Sequence, residues 1–336
     1  MMQIVELAEK HWEEAAALVA ARVAELRRAL PILPQQYEDG ATILPLIADL
    51  AAQVPGVAAM EQGRLAGFLF AMVLPSFKGK RAAYSPVWAN GARAVGAGED
   101  AARVYQELYA ALAPRWLANG CVVHAMSLLA HDRAGLDGLY WLGFGLNNVD
   151  AVRDLSPLAP ADLRHADDLS IRRATAGDID DIMRLGDGLR RHLAASPIYL
   201  PYMDPDTAGE YREWLAQPGN VQWLAYRGGT AVAELRCEPT NYTAGAIAAD
   251  PRTTFITSAY TIPSERNSGV ASALLAQLLA HAHASGCERC VTDFESANLP
   301  GARFWMRHFR PITFSVLRYV DERALYAHAE RQAEDI

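Results

Sequence analysis

The chain of 336 residues has few cysteines, no long apolar run and no excess of positive charge. Four cysteines (Cys121, Cys237, Cys287 and Cys290) are too few to staple a chain of this length, which points to a reducing compartment and a cytoplasmic location. The longest apolar stretch, Leu65 to Leu74, meets Pro75 after ten residues, whereas a membrane helix needs about 20, so no membrane partner is expected. Glu6, Glu9, Glu13 and Glu14 crowd the start of the chain, where a targeting segment would be basic or acid-poor, so none is expected. With 31 Lys and Arg against 39 Asp and Glu, the net charge is −8, and neither half is basic, which excludes a nucleic-acid reader. The sequence also lacks a Gly-x-Ser-x-Gly elbow, a Gly-x-x-x-x-Gly-Lys-Ser/Thr loop and a His-Glu-x-x-His helix, leaving hydrolase, nucleotide-triphosphatase and zincin readings without an anchor.

What is present is an internal repeat. Ala118-Asn119-Gly120-Cys121 and Ala284-Ser285-Gly286-Cys287 are related by a shift of 166 positions, and each follows an apolar helix-like stretch, 100–117 and 269–284. A short strand-like run and a second amphipathic stretch follow in both copies, and the same shift sets Asp132 opposite Asn298 and Leu139 opposite Trp305. In the second copy Ser170 opens a strand and Asp178 is placed to cap a helix starting at Ile179. Val221–Tyr226 and Thr230–Cys237 flank Gly228-Gly229 as a hairpin, and Phe255–Ile262 forms a further strand. The first copy reads as a long helix from Trp12 to Leu30 with strands near Val57–Met60, Leu65–Val73 and Ala82–Trp88. The expected fold is α/β (α+β), a mixed sheet with helices on its faces in each of two domains. Residues 1–155 make the first, 156–168 with Pro157 and Pro160 the linker, and 169–336 the second.

The stretch with most chemistry is Ala259-Tyr260-Thr261-Ile262-Pro263, followed by Arg266-Asn267-Ser268-Gly269-Val270-Ala271-Ser272. A strand stops at the proline, and an Arg-x-x-Gly-x-Ala run opens directly into an apolar helix. Small residues at 269 and 271 let an anion approach the backbone, where the unpaired N–H groups of the first helical turn and the helix dipole face it. Downstream lies Glu295-Ser296-Ala297-Asn298, then Phe304-Trp305. Together these segments resemble the GNAT N-acyltransferase superfamily over about residues 169–320, while residues 1–155 resemble it by fold order alone.

The resemblance implies acetyl-CoA as cosubstrate. By it, Arg266, Asn267, Ser268, Gly269, Val270, Ala271 and Ser272 form the diphosphate loop, and the backbone of Tyr260, Thr261 and Ile262 the pantetheine rail. Asn298 contacts the pantetheine arm, and Trp305 stands where the family often carries a tyrosine that protonates the departing thiolate. An indole N–H cannot serve as that acid, so a non-catalytic acyl-CoA-binding protein or a structural tandem of the family is the alternative to an N-acetyltransferase. Amine attack on a thioester needs a base, for which Glu234 is the first choice, ahead of Asp293, Glu295 and the Tyr260 hydroxyl. The acceptor, a primary amine on a small molecule or peptide, is expected near Tyr199 and Tyr202, because the resemblance places a variable lid there; aromatic faces attract cations.

In the first copy, Arg93-Ala94-Val95-Gly96-Ala97-Gly98 is out of register with the second copy's loop, and Glu99 and Asp100 would repel a diphosphate, so this half is read as degenerate. His281, His283, Cys287 and Cys290 are not read as a metal site, because the two histidines lie about 200° apart around one helix.

Overall fold

The computed structural model describes residues 2–94, 101–163, 168–200, 206–239 and 246–326. The first half runs β1 (Gln3–Glu6), α1 (Trp12–Ala29), α2 (Gly40–Ala51), β2 (Gly56–Glu61), β3 (Arg64–Phe70), β4 (Met72–Phe77), β5 (Lys80–Ser85), β6 (Asn90–Ala92), α3 (Ala101–Ala118), β7 (Val123–Leu129), α4 (Arg133–Trp141) and β8 (Gly145–Asp154). The second half runs β9 (Ser170–Arg173), α5 (Ile179–Ala194), α6 (Ala208–Ala216), β10 (Val221–Arg227), β11 (Thr230–Glu238), β12 (Thr253–Thr261), α7 (Val270–Ala284), β13 (Arg289–Glu295), α8 (Leu299–His308) and β14 (Arg310–Tyr319). This is the mixed α/β architecture expected, with two helices, α2 and α6, added to the string.

Two compact units divide the chain, but they are not the contiguous halves 1–155 and 169–336. One comprises Met1–Val149 together with Pro311–Ile336, the other Asp150–Arg310. The reason is β14, which pairs antiparallel with β7 from Thr313↔Leu129 to Tyr319↔Val123 and so completes the sheet of the first unit. The segment read as a linker belongs in its described part to the second unit, where Asp162 pairs with Arg307.

In the first unit, β1, β2, β3 and β6 form one sheet, and β4, β5, β7 and β14 lie side by side. Helix α3 buries Val104, Tyr105, Leu108 and Leu112 in one cluster with Leu69, Met126 and Leu128. Four polar side chains are buried together in this unit. The Arg22 guanidinium donates to the Tyr105 hydroxyl (3.0 Å) and pairs with Asp132, and Tyr105 is also 3.0 Å from Asp132 and 3.3 Å from Asn90. Asn90 donates onward to the Ser127 carbonyl at 3.1 Å. Burial pushes the Tyr105 phenol far up, so it stays a proton donor.

In the second unit, the order across the sheet from β13 is β12, β11, β10, β9. Leu224 on β10 packs with Ile179, Ile182 and Leu185 of α5, while its neighbour Trp223 meets His281 of α7 edge-on at 5.8 Å. Successive strand residues point to opposite faces, so α5 and α7 cover the two sides of this sheet. Asp178 precedes α5 but does not cap it. Its carboxylate accepts from Thr175 N–H and Oγ1 (2.8 Å each) and from Arg172 (2.6 Å), which holds it far below the usual carboxylate range.

Candidate active site

The site is built around the point where two parallel strands part. β12 and β13 pair from Thr253↔Arg289 to Ile256↔Thr292; beyond that point β12 continues to Thr261 and β13 to Glu295 without pairing with each other. The cause lies on the other side of β12. There Ser258 pairs with Arg236 and Ile256 with Cys237, so Thr257 is an extra residue, a β-bulge that bends the strand. Residues 253–256 are buried, whereas 257–261 are half-exposed along the open edge.

Hydrogen-bond alternation decides which backbone groups face that opening. Ile262 N–H donates to the Val232 carbonyl at 3.0 Å, and Tyr260 is opposite Glu234 two residues earlier, so the amides of both Ile262 and Tyr260 turn into the β11 ladder. Ala259 and Thr261 therefore present their N–H and C=O groups to the opening. Of Tyr260, Thr261 and Ile262, on which the rail is expected, only Thr261 presents its backbone groups to the opening, and Ala259 does so as well.

Beyond the strand, Pro263–Glu265 makes a single 3₁₀ turn, and Asn267 (φ 62°) and Gly269 (φ 82°) take left-handed conformations before α7 begins at Val270. Among the described residues, no protein group accepts from the N–H groups of Asn267 to Ser272, and the first turn of α7 carries no acidic residue. Six unpaired donors in sequence at a helix N-terminus are what an anion cradle requires. Arg266 stands at its rim, with Nε 3.3 Å from the Thr261 carbonyl and its guanidinium 5.9 Å from the Tyr260 ring centre. Glu265 is held by Arg227 Nε at 3.1 Å, and Ser268 Oγ donates to the Glu265 carbonyl at 2.6 Å.

Asn298 is the N-cap of α8, where its Oδ1 accepts from Gly301 N–H (3.3 Å) and from His192 Nε2 (3.0 Å), a residue of α5. With Oδ1 occupied twice, the carboxamide N–H₂ is the part left for a ligand. Trp305 is buried, edge-on to Phe304 (4.9 Å) and Phe309 (5.4 Å), and so is packed into an aromatic cluster. Glu234 is only 3% exposed and accepts from Gln222 Nε2 (2.8 Å) and Ser258 Oγ (2.7 Å). Burial raises its carboxyl above the usual range against the opposing pull of those hydrogen bonds and of Arg236. Tyr199 is exposed beyond the end of α5 with φ 52°, and Tyr202 lies outside the described residues, as does most of the Arg93–Gly98 loop.

The GNAT acetyltransferase family model matches residues 189–309, from the end of α5 to the start of β14. Among solved structures, the GCN5-related N-acetyltransferase from Sphaerobacter thermophilus is similar over 95% of both chains, at 15% identity and a TM-score of 0.54. The glucosamine N-acetyltransferase region of a fungal multi-domain GH3 β-N-acetylglucosaminidase is similar over 94% of this chain and 38% of that one, at 11% identity and a TM-score of 0.53. At these identities the likeness is one of fold. No curated protein matches the sequence.

The second unit also holds groups that the sequence alone does not single out. Gln222 and Ser258 flank Glu234, His192 reaches Asn298, and Arg236 lies over the Trp214 ring at 4.2 Å. The signal for Arg236 was available, since it stands two residues after Glu234 on a strand and so shares its face. No such spacing links His192 to Asn298, 106 residues away. His281, weighed for metal, packs against Trp223.

Proposed function

We propose that the second unit transfers an acetyl group from acetyl-CoA to a primary amine on a small molecule or peptide. The observation that carries this is the continuity of the parted strands with the N–H cradle of Asn267–Ser272. A cofactor with a diphosphate at one end and an extended amide arm fits donors at the helix terminus and open β-strand groups at Ala259 and Thr261. Arg266 adds a positive charge at the cradle, and the Asn298 carboxamide faces the arm.

Acetyl-CoA supplies an activated thioester: the deprotonated amine nitrogen bonds to the carbonyl carbon, the C–S bond breaks, and the thiolate takes the second proton shed by that nitrogen, so that CoA leaves as a thiol. The Thr261 N–H is placed to stabilise the negative charge developing on the carbonyl oxygen. Glu234 takes the proton lost by the attacking ammonium, directly or through its Ser258 partner, and a carboxyl raised by burial is the better base for that task.

A second reading, an acyl-CoA-binding protein without turnover, is favoured by the buried Trp305 at the position of the family's acid. One experiment separates the two. Calorimetric titration with acetyl-CoA is expected to give one site, abolished by Gly269→Arg, and an amine panel followed by thiol release is expected to show turnover. Binding without turnover, or turnover gained only in Trp305→Tyr, would establish the second reading; no binding would overturn both.

A further inference from the structure

Arg236 contacts no reacting group in the chemistry above, though its charge acts on Glu234, and it belongs to the same face. Its register partners are Gln222 on β10 and Ser258 on β12, the two residues that hydrogen-bond to Glu234. Its guanidinium is fixed by stacking on Trp214 of α6 at 4.2 Å, and the indole Nε1 is itself held by Glu238 at 3.2 Å. Among the described residues, no carboxylate lies within ion-pair distance of Arg236, and its Nε is buried without an acceptor. Nearby arginines of the unit differ: Arg227, Arg252 and Arg289 each have a carboxylate partner. A half-buried guanidinium with an orphaned donor is costly to maintain unless something else accepts from it. Gln222 Oε1, at the directly paired position, is an orphaned buried acceptor in the same patch.

We infer that the acceptor carries a carboxylate close to its amine, and that Arg236, held flat on Trp214, receives that carboxylate while the amine is directed toward Glu234. This rests on the acetyltransferase reading above and adds the acceptor class to it. The planar guanidinium matches a carboxylate, to which it can give two parallel N–H bonds. The reaction is the same transfer: the acceptor ammonium gives one proton to Glu234, its nitrogen bonds to the acetyl carbon as the C–S bond breaks, its second proton goes to the departing thiolate, and its carboxylate is unchanged.

The test measures thiol release from acetyl-CoA with glycine, β-alanine, γ-aminobutyrate and L-phenylalanine, each against its own carboxamide, with 2-aminoethylphosphonate as a further arm. At least one carboxylate is expected to exceed its amide in kcat/KM by about 10- to 100-fold, the worth of a charge-assisted hydrogen bond. Arg236→Gln should erase that preference through KM while leaving acetyl-CoA affinity unchanged; loss of its pull on Glu234 shifts the pH profile of acids and amides alike, and Arg236→Lys should keep part of the preference. Should Arg236→Gln fail to fold, Trp214→Phe, which retains an aromatic face, is expected to weaken the preference without abolishing it. Equal use of acids and amides, no turnover of any carboxylate-bearing amine, preference for the phosphonate, or a preference that survives Arg236→Gln would each overturn the assignment with acetyl-CoA binding intact. Failure to bind acetyl-CoA would instead overturn the reading beneath it.

Discussion

Replacing Asp132 by alanine tests the buried polar cluster of the first unit most directly. The carboxylate does two jobs there: Oδ2 pairs with Arg22, and Oδ1 caps α4 by accepting from Gly135 N–H at 3.0 Å. Side-chain exposures of 11% for Arg22 and 8% for Asp132 mean that water cannot replace the lost partner. Stranding a buried charge costs about 3–5 kcal/mol. Losing an N-cap costs about 1 kcal/mol, and because both losses fall on one side chain they are not independent. Asp132→Ala is therefore expected to destabilise the first unit by roughly 3–5 kcal/mol, while Asp132→Asn, which keeps a capping oxygen, costs about half as much. The double variant Arg22→Met with Asp132→Ser removes both charges and keeps a capping hydroxyl, so it should recover most of the loss. Urea unfolding reads the total, and hydrogen exchange at the Gly135 amide reads the cap locally. A cost below about 1 kcal/mol for Asp132→Ala, or a double variant no better than the single, would refute the reasoning.

Gly269→Ala places a Cβ on a residue at φ 82°, a strain of about 1–2 kcal/mol; weaker acetyl-CoA binding by calorimetry is expected, and unchanged affinity would count against the cradle. Gly301→Ala sets a Cβ 2.7 Å from Asn298 Nδ2, so the carboxamide must move; lower acetyl-CoA affinity and a stability loss of about 1–3 kcal/mol should follow, read by calorimetry and urea unfolding. Because burial raises the Glu234 carboxyl in the folded state, the folded protein binds more protons than the unfolded chain between the ordinary and raised values, and this residue's contribution falls as pH climbs through that window. Glu234→Gln should therefore gain stability relative to the parent protein from acidic toward neutral pH; a flat difference in urea midpoints would contradict the assignment.

Local chemistry made the second unit's site legible. Pro263 ends a strand, small residues open a helix, and Asn298 with Gly301 repeats at Asp132 with Gly135, so both copies cap their last helix in the same way. Elements whose signals conflict were harder to read. Helix α2 starts at Gly40 and holds Pro45 inside, and both residues disfavour helix. Helix α6 did announce itself, since Thr207 and Glu210 form a reciprocal capping box, but the nine-residue helix it opens is short. Leu65–Val73, read as one strand, breaks at Ala71 because β3 pairs with β2 and β6 while β4 turns to pair with β5. Partner choice of that kind depends on residues far away in sequence. For the same reason Glu234 could be named from its strand, but not the Gln222 and Ser258 that enclose it.

The place of β14 in the first unit bears on how the protein is made. β7 is synthesised some 190 residues before the strand that pairs with it, as the register Thr313↔Leu129 shows. An emerging first unit thus waits with one strand edge unpaired until residue 319 has left the ribosome, and an unpaired edge is the part of a sheet most open to wrong partners. Cutting the chain between residues 156 and 168 to express the halves separately would make that wait permanent: the first half would lack the strand that pairs with β7, and the second would carry a strand that belongs to the other unit.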